Sequence, residues 1–325
     1  MSSSEVGIPL EQVLATGRLW PRFLLFPTMA VCGYAGLVNH WGSSAWWAQA
    51  LWVLFLTFCW FCVAAVFHEC AHQNLGANRR ANIWGGRIIG TTLAIPYTAF
   101  RETHMLHHAH LNTPRDWELW PYADPGASLT FRRLFVWFDI VGGVIAAPII
   151  FSRIVWVRNS PLNPKHRRTI LKEYLAVALF WGGIFFGTFW LHVQGMIDLT
   201  RFDPVWLLPV LLSPMLNTVR KLSEHLGMAS YDPILGTRTI IPGNFITRLC
   251  SYFDFELCVH GPHHRHPKLS CDRLAPYMRG YLADHRHSPV PLFSSYRAAV
   301  LDVWPYLFRN PGVGVNAGGL SDFDA

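Results

Sequence analysis

The chain has 325 residues and a formal net charge of +7, with 51% hydrophobic, 14% aromatic and only 14% charged residues. An ordinary soluble domain carries roughly 25% charge, so this composition excludes a disordered or fibrous chain and argues against a wholly soluble enzyme. Basic excess beside long apolar runs points to a membrane surface or an acidic partner, and away from nucleic acid.

In chain order, segment 1–19 is polar, carries Glu5 and Glu11, and lacks the basic start of a cleavable signal peptide. It is expected to be cytoplasmic. A helix crossing a hydrocarbon core of roughly 30 Å needs about 20 apolar residues. Stretches 23–39 and 45–67 meet that need and form a hairpin through 40–44. Cys59 and Cys62 make a CxxC inside the second stretch. With no second CxxC, their thiols read as core hydrophobes. Segment 83–100 is expected to lie along the membrane surface.

Stretch 134–152 is also apolar. It is followed by Arg153, Arg158, Lys165, Arg167, Arg168 and Lys172 with no acid among them, and it is preceded by a basic segment, 79–133. The positive-inside rule places both flanks on the cytoplasmic side, so 134–152 is expected to be interfacial or re-entrant. Stretches 171–191 and 205–219 form the second hairpin, the latter with Pro209 and Pro214. Trp20, Trp41, Trp46, Trp47, Trp190 and Trp206 sit near span ends, as interfacial aromatics do. From Gly312 a Gly-rich tail is expected to be flexible.

These elements predict an all-α integral membrane protein. About four transmembrane helices in two hairpins would carry interfacial helices and a cytoplasmic cap. The units are a cytoplasmic segment 1–19, a membrane domain 20–295 and a C-terminal segment 296–325.

The 16 histidines are unevenly placed. Three clusters read His68-Glu69-Cys70-Ala71-His72, His104-Met105-Leu106-His107-His108 and His260-Gly261-Pro262-His263-His264. Residues three and four apart share a helix face, so each cluster aims two or three imidazoles at one point. Gly261-Pro262 suggests a helix start for the third. The topology puts all three clusters, and His225 after the last span, on one side of the membrane. Nine imidazoles then converge, more than one ion can use, and two ions are implied. All-nitrogen neutral ligation suits Fe, Zn, Cu or Ni and disfavours Ca and Mg. Glu69, Asp116 and Glu224 are candidate partners for imidazole N–H groups. Trp117, Trp120 and Tyr122 either line the mouth of a substrate site or are plain interfacial aromatics. His110 and His266 lie close behind clusters, while His40, His166, His192, His285 and His287 lack ligand-like context.

The clusters resemble the boxes HxxxH, HxxHH and HxxHH of the membrane fatty acid desaturase and hydroxylase superfamily. Glu224-His225 resembles its additional ligand, and Asp116, Glu118 and Pro267 match box flanks. The resemblance covers about 20–290. It implies a non-haem di-iron centre with His68, His72, His104, His107, His108, His225, His260, His263 and His264 as iron ligands. It further implies O2 as co-substrate and attack on an unactivated C–H bond of a lipid acyl chain, with fatty acid desaturation foremost. Electrons would come from a separate donor such as ferredoxin or cytochrome b5, to which the basic cytoplasmic face would be suited. The site would face the cytoplasm, from a bacterial inner membrane or the endoplasmic reticulum of a eukaryote. Hydroxylases, carotenoid ketolases and alkene-forming decarboxylases share the boxes. Asn217, eight residues before His225, departs from the spacing of the stearoyl-CoA desaturases.

Two rivals remain. His68-Glu69-xx-His72 matches the HExxH of zinc proteases, but an intramembrane protease would need a third ligand, often an Asp in a DG dipeptide, and the sequence has no DG. A metal transporter would place its ligands near the midplane of spans, whereas these clusters lie at span ends.

Overall fold

The computed structural model of the chain describes residues 20–40 and 45–320. Segment 1–19, the turn 41–44 with Trp41, residues 321–325 and the side chains of Trp20 and His40 lie outside the described residues.

Helices α1 (Trp20–His40) and α2 (Trp46–His72) form the first hairpin. On α1, Phe23, Phe26, Ala30 and Leu37 are buried at helical spacing, while Leu24, Leu25, Val31 and Val38 remain exposed. Gly36 lets the pair close up, because a Cβ there would lie 2.8 Å from the Trp52 ring. α2 runs past the expected end at 67 to His72, where Gln73 at φ 63 turns the chain and donates its N–H to the Cys70 carbonyl. That extra turn carries the first histidine cluster.

In place of one surface segment at 83–100 there are two helices, α3 (Arg79–Thr92) and α4 (Tyr97–Ala109). The break falls at Ala94, with φ 56, and Pro96. Stretch 134–152 likewise divides into α5 (Leu129–Val141) and α6 (Gly143–Trp156), bent by 118°. It is therefore not a straight crossing. The bend is held by polar and steric contacts with α8 (Leu208–His225). Buried Asp139 accepts from Lys221 Nζ at 2.9 Å and from Tyr122 Oη at 3.0 Å. Gly143 sits so close to Pro214 that a Cβ would come within 3.0 Å of its carbonyl. Asp139→Ala leaves a half-buried lysine and a buried phenol without their acceptor, which should cost about 2–3 kcal/mol. A thermal melt in detergent checks this, and an unchanged midpoint would remove Asp139 as the tie between α5 and α8.

α7 (Pro164–Val193) is capped by the Asn163 side chain with Pro164 at its first position. α8 follows a short 3-10 turn, Pro204–Leu207, and continues beyond 219 to end on His225. By length and composition α2 and α7 each suffice to cross a membrane, and the bent α5–α6 pair adds a third if counted as one span. The remaining helices are α9 (Phe245–Phe253), α10 (His260–Arg265), α11 (Cys271–Asp284) and α12 (Tyr296–Arg309). A parallel pair, β1 (Thr239–Ile240) and β2 (Leu292–Phe293), is the sole sheet among the described residues.

Composition suggests a mobile tail from Gly312; the first part of it, 312–316, is packed against the protein. Val313 is fully buried and donates its N–H to the Tyr122 carbonyl at 3.1 Å. Asn316 Nδ2 donates to the carbonyls of Tyr122 and Asp124 at 3.0 and 2.9 Å. Glycine here serves close packing: a Cβ on Gly314 (φ 54) would overlap the Asn112 carbonyl.

Candidate metal centre

His68 and His72 project from the last turn of α2, and His104, His107 and His108 from α4. His225 closes α8, and His260, His263 and His264 lie on α10. The third cluster is a helix start, as its Gly-Pro suggests: Pro262 occupies the first turn, where a missing N–H costs nothing. Gly261 packs there against Ile234, its N–H donating to Thr239 Oγ1 at 3.0 Å.

All nine imidazoles come together, in two groups. His68, His72, His104, His108 and His263 form one, and His107, His225, His260 and His264 the other; within each, one potential ligand atom per residue lies within 4.8 Å of all the rest. The groups abut, with the His108 and His264 rings stacked at 4.2 Å. The HxxHH clusters do not each aim at one point, as spacing alone suggests. His104 and His108 serve one group and His107 the other, and α10 divides His263 from His260 and His264. Adjacent residues lie about 100° apart around a helix of 3.6 residues per turn, so the doubled histidine splits between two centres.

The donor chemistry fits cations. His104 Nδ1 pairs with Glu118 Oε2 at 2.7 Å, and His260 Nδ1 with the Leu257 carbonyl at 3.1 Å. A neutral imidazole that donates from Nδ1 carries a lone pair on Nε2. His104 Nε2 lies 2.9 Å from His72 Nε2 and 3.1 Å from His108 Nε2. His260 Nε2 lies 2.8 Å from His225 Nε2 and 3.1 Å from His264 Nε2. His263 Nε2 is buried without a hydrogen-bond partner. Converging buried lone pairs of this kind are satisfied by a metal ion.

Carboxylates fix the rings from behind. Glu69 Oε1 takes His68 Nδ1 at 3.1 Å while its Oε2 accepts from Asn74 at 3.1 Å. Asp116 Oδ2 takes His107 Nδ1 at 2.8 Å, and its oxygens also accept the N–H groups of Asn112 and Leu119, each at 3.1 Å. Glu224, expected in the same role, differs. It forms a bidentate pair with Arg220 at 3.1 Å and stands 3.6 Å from His260 Nε2, on the converging side of that ring.

Glu118 was not singled out by the sequence as a ring partner, although its place after the second cluster was the available signal. Burial alone would raise its carboxyl, but His104, His107 and Lys221 hold it down to about 2. Glu118→Gln keeps the shape and removes the charge, and should weaken metal binding about 10–100-fold. A metal titration of purified protein measures this; wild-type affinity would mean the contact does not tune the ring.

Both groups border one cavity of about 340 Å3, whose lining includes His68, His104, His107, His225 and His260. Its other walls are largely apolar: Trp60 and Phe67 on α2, Phe100 on α4, Phe151 on α6 and Trp181 on α7.

The family model described as "Fatty acid desaturase" matches residues 44–295. The chain belongs to the fatty acid desaturase family. A search of curated proteins finds no match. Membership supports lipid acyl oxidation of the desaturase kind in broad terms, and the matched span holds every one of the nine grouped histidines.

In this desaturase-family chain, other expected residues fall elsewhere. Trp117, Trp120 and Tyr122 do not line the cavity. Trp120 packs on Phe131 and Phe135 and, with Trp117, receives the Arg153 guanidinium on its face. His266 lies against Tyr277, and His110 ends α4; neither joins a group. His166 pairs with Glu102 at 3.1 Å. His192, His285 and His287 are also outside both groups.

Proposed function

We propose that the chain is an O2-dependent oxidase of a lipid acyl chain, with desaturation as its outcome and two iron ions as its cofactor. The observation that carries this reading is the pairing of five- and four-histidine groups beside one largely apolar cavity. Iron bound by these groups supplies the redox power that acid–base side chains lack for an unactivated C–H bond. The nine histidines hold it, and Glu69, Asp116 and Glu118 keep their rings in the binding tautomer and orientation. The cavity walls hold an alkyl chain against the centre and keep water out, which selects the carbons attacked. Forming one double bond takes two hydrogens from the chain. O2 takes up four electrons, two from the chain and two from a separate donor such as ferredoxin or cytochrome b5, and with the two hydrogens of the chain and two protons from solvent leaves as two waters.

α1, α2, α7 and α8 serve as four membrane helices in two hairpins, within a domain spanning 20–295. The histidine-bearing segments then lie on the cytoplasmic side, in keeping with the basic run from Arg153 to Lys172. A bacterial inner membrane or an endoplasmic reticulum both suit that arrangement. The zinc-protease reading is disfavoured by Glu69, which backs His68 Nδ1 and is tied to Asn74, where a general base would face the metal-bound water. Metal analysis tests the proposal: about two iron ions per chain support it, whereas one zinc with peptidase activity would replace it.

A further inference from the structure

Along its apolar length α7 has little support from the rest of the protein. Only Ile170 and Glu173 are buried on it, and none of its most apolar window is buried. Its first part is pinned by the Glu173 carboxylate, which accepts from Arg87 Nε at 2.9 Å and from Thr98 N and Oγ1 at 2.8 and 2.9 Å. About two turns further on, Trp181 Nε1 donates to the Thr91 carbonyl at 3.0 Å. Beyond Trp181, Phe185, Phe186 and Trp190 are exposed.

Trp181 is also a wall of the cavity, together with Val144 on α6, Val210 on α8 and Ala94 between α3 and α4. Each of these is exposed as well: Trp181 by 43%, Val144 by 38% and Val210 by 37%, and Ala94 in the same class. Side chains that line a cavity and are also exposed on the outside mark its opening. This opening is rimmed by apolar groups and flanked by an apolar helix of membrane-spanning length. Soluble ligands gain nothing from such a rim, whereas an alkyl chain passes from lipid into it without exposing apolar surface to water.

We propose that the acyl chain enters this cavity sideways from the bilayer, between α7 and the α6–α8 pair. Trp181, tethered to Thr91, forms the α7 side of the portal. The substrate is then an acyl chain carried by a bilayer lipid. The proposal rests on the oxidase reading for its chemistry, and on the cavity geometry alone for the route.

The protein in phosphatidylcholine vesicles bearing a diazirine on the acyl chain should crosslink at Val144, Trp181 and Val210, mapped by peptide mass spectrometry. Val210→Trp, which plugs the rim from an exposed position, should lower both this labelling and the turnover of vesicle lipid at least tenfold at unchanged iron content. Trp181→Ala, which widens the rim, should raise the labelling of Val144 and Val210, with Trp181→Phe, which keeps a ring but loses the N–H to Thr91, between it and the parent. Labelling absent from all three positions in protein that oxidises vesicle lipid, or full turnover by an iron-loaded Val210→Trp variant, would overturn the portal. Labelling of Val144 and Trp181 that Val210→Trp leaves unchanged would also overturn it, whereas labelling that Val210→Trp lowers, in protein that oxidises no lipid, would uphold the portal and remove the oxidase reading instead.

Discussion

His263→Ala and His264→Ala should each abolish acyl oxidation while removing different iron. His263 belongs to the five-histidine group and His264 to the four-histidine group, so each truncation empties one half of the proposed centre. Bound iron is expected to fall from about two to about one per chain in either variant, with turnover at background, because two ions acting together cannot be replaced by one. His266→Ala is the matched control. It lies two residues further on, its ring rests on Tyr277, and it belongs to neither group. Iron content measured beside turnover separates site loss from misfolding. Full activity in the His263 or His264 variant would refute the site assignment.

Acidification from pH 7 to pH 5 should strip the centre and destabilise the protein around it. Burial, reinforced by neighbouring imidazoles, holds His108, His260, His263 and His264 well below the usual histidine value. The unfolded chain protonates these groups as pH falls through about 6.5, and the folded chain resists. Stability is therefore intact above that pH and lost progressively below it. Protons also compete with metal for the same nitrogens, so iron release runs in the same direction. His107 acts oppositely: burial lowers it, but Asp116 more than compensates and its pKa is raised, so its contribution is present at low pH and lost as pH rises. It offsets one group among several. Melting temperature and bound iron followed together across this range should fall together, and a flat profile of either would contradict the buried neutral histidines.

Much of the centre was legible because its signal is local. Histidines at i, i+3 and i+4 announce a shared helix surface, and three such clusters name eight of the nine grouped residues. His225 followed from its place after the last span. The division into two groups was not legible, because it depends on how α4 and α10 are turned towards each other. Glu118 was missed for a related reason: it reaches His104 from a loop after α4, a contact set by tertiary folding. Glu224 stood beside a histidine in sequence, but the nearby Arg220 captured its carboxylate.

Hydropathy located the helices and misplaced their ends. α2 and α8 run on past the apolar stretches because their final turns are buried by protein. The break at Gly142 and the packed stretch 312–316 have no hydropathy signal. They rest on Asp139, on close contact at Gly143 and on hydrogen bonds to the Tyr122 carbonyl.

The measurement that bears most directly on the central claim is mass spectrometry of the lipid acyl chains. Iron-loaded protein in lipid vesicles is supplied with O2 and a reduced ferredoxin or cytochrome b5. Desaturation predicts acyl chains lighter by two hydrogens, formed only when O2 and the reduced donor are both present. Chains heavier by one oxygen would make the protein a hydroxylase on the same centre, and chains left unchanged by iron-loaded protein would contradict acyl oxidation itself.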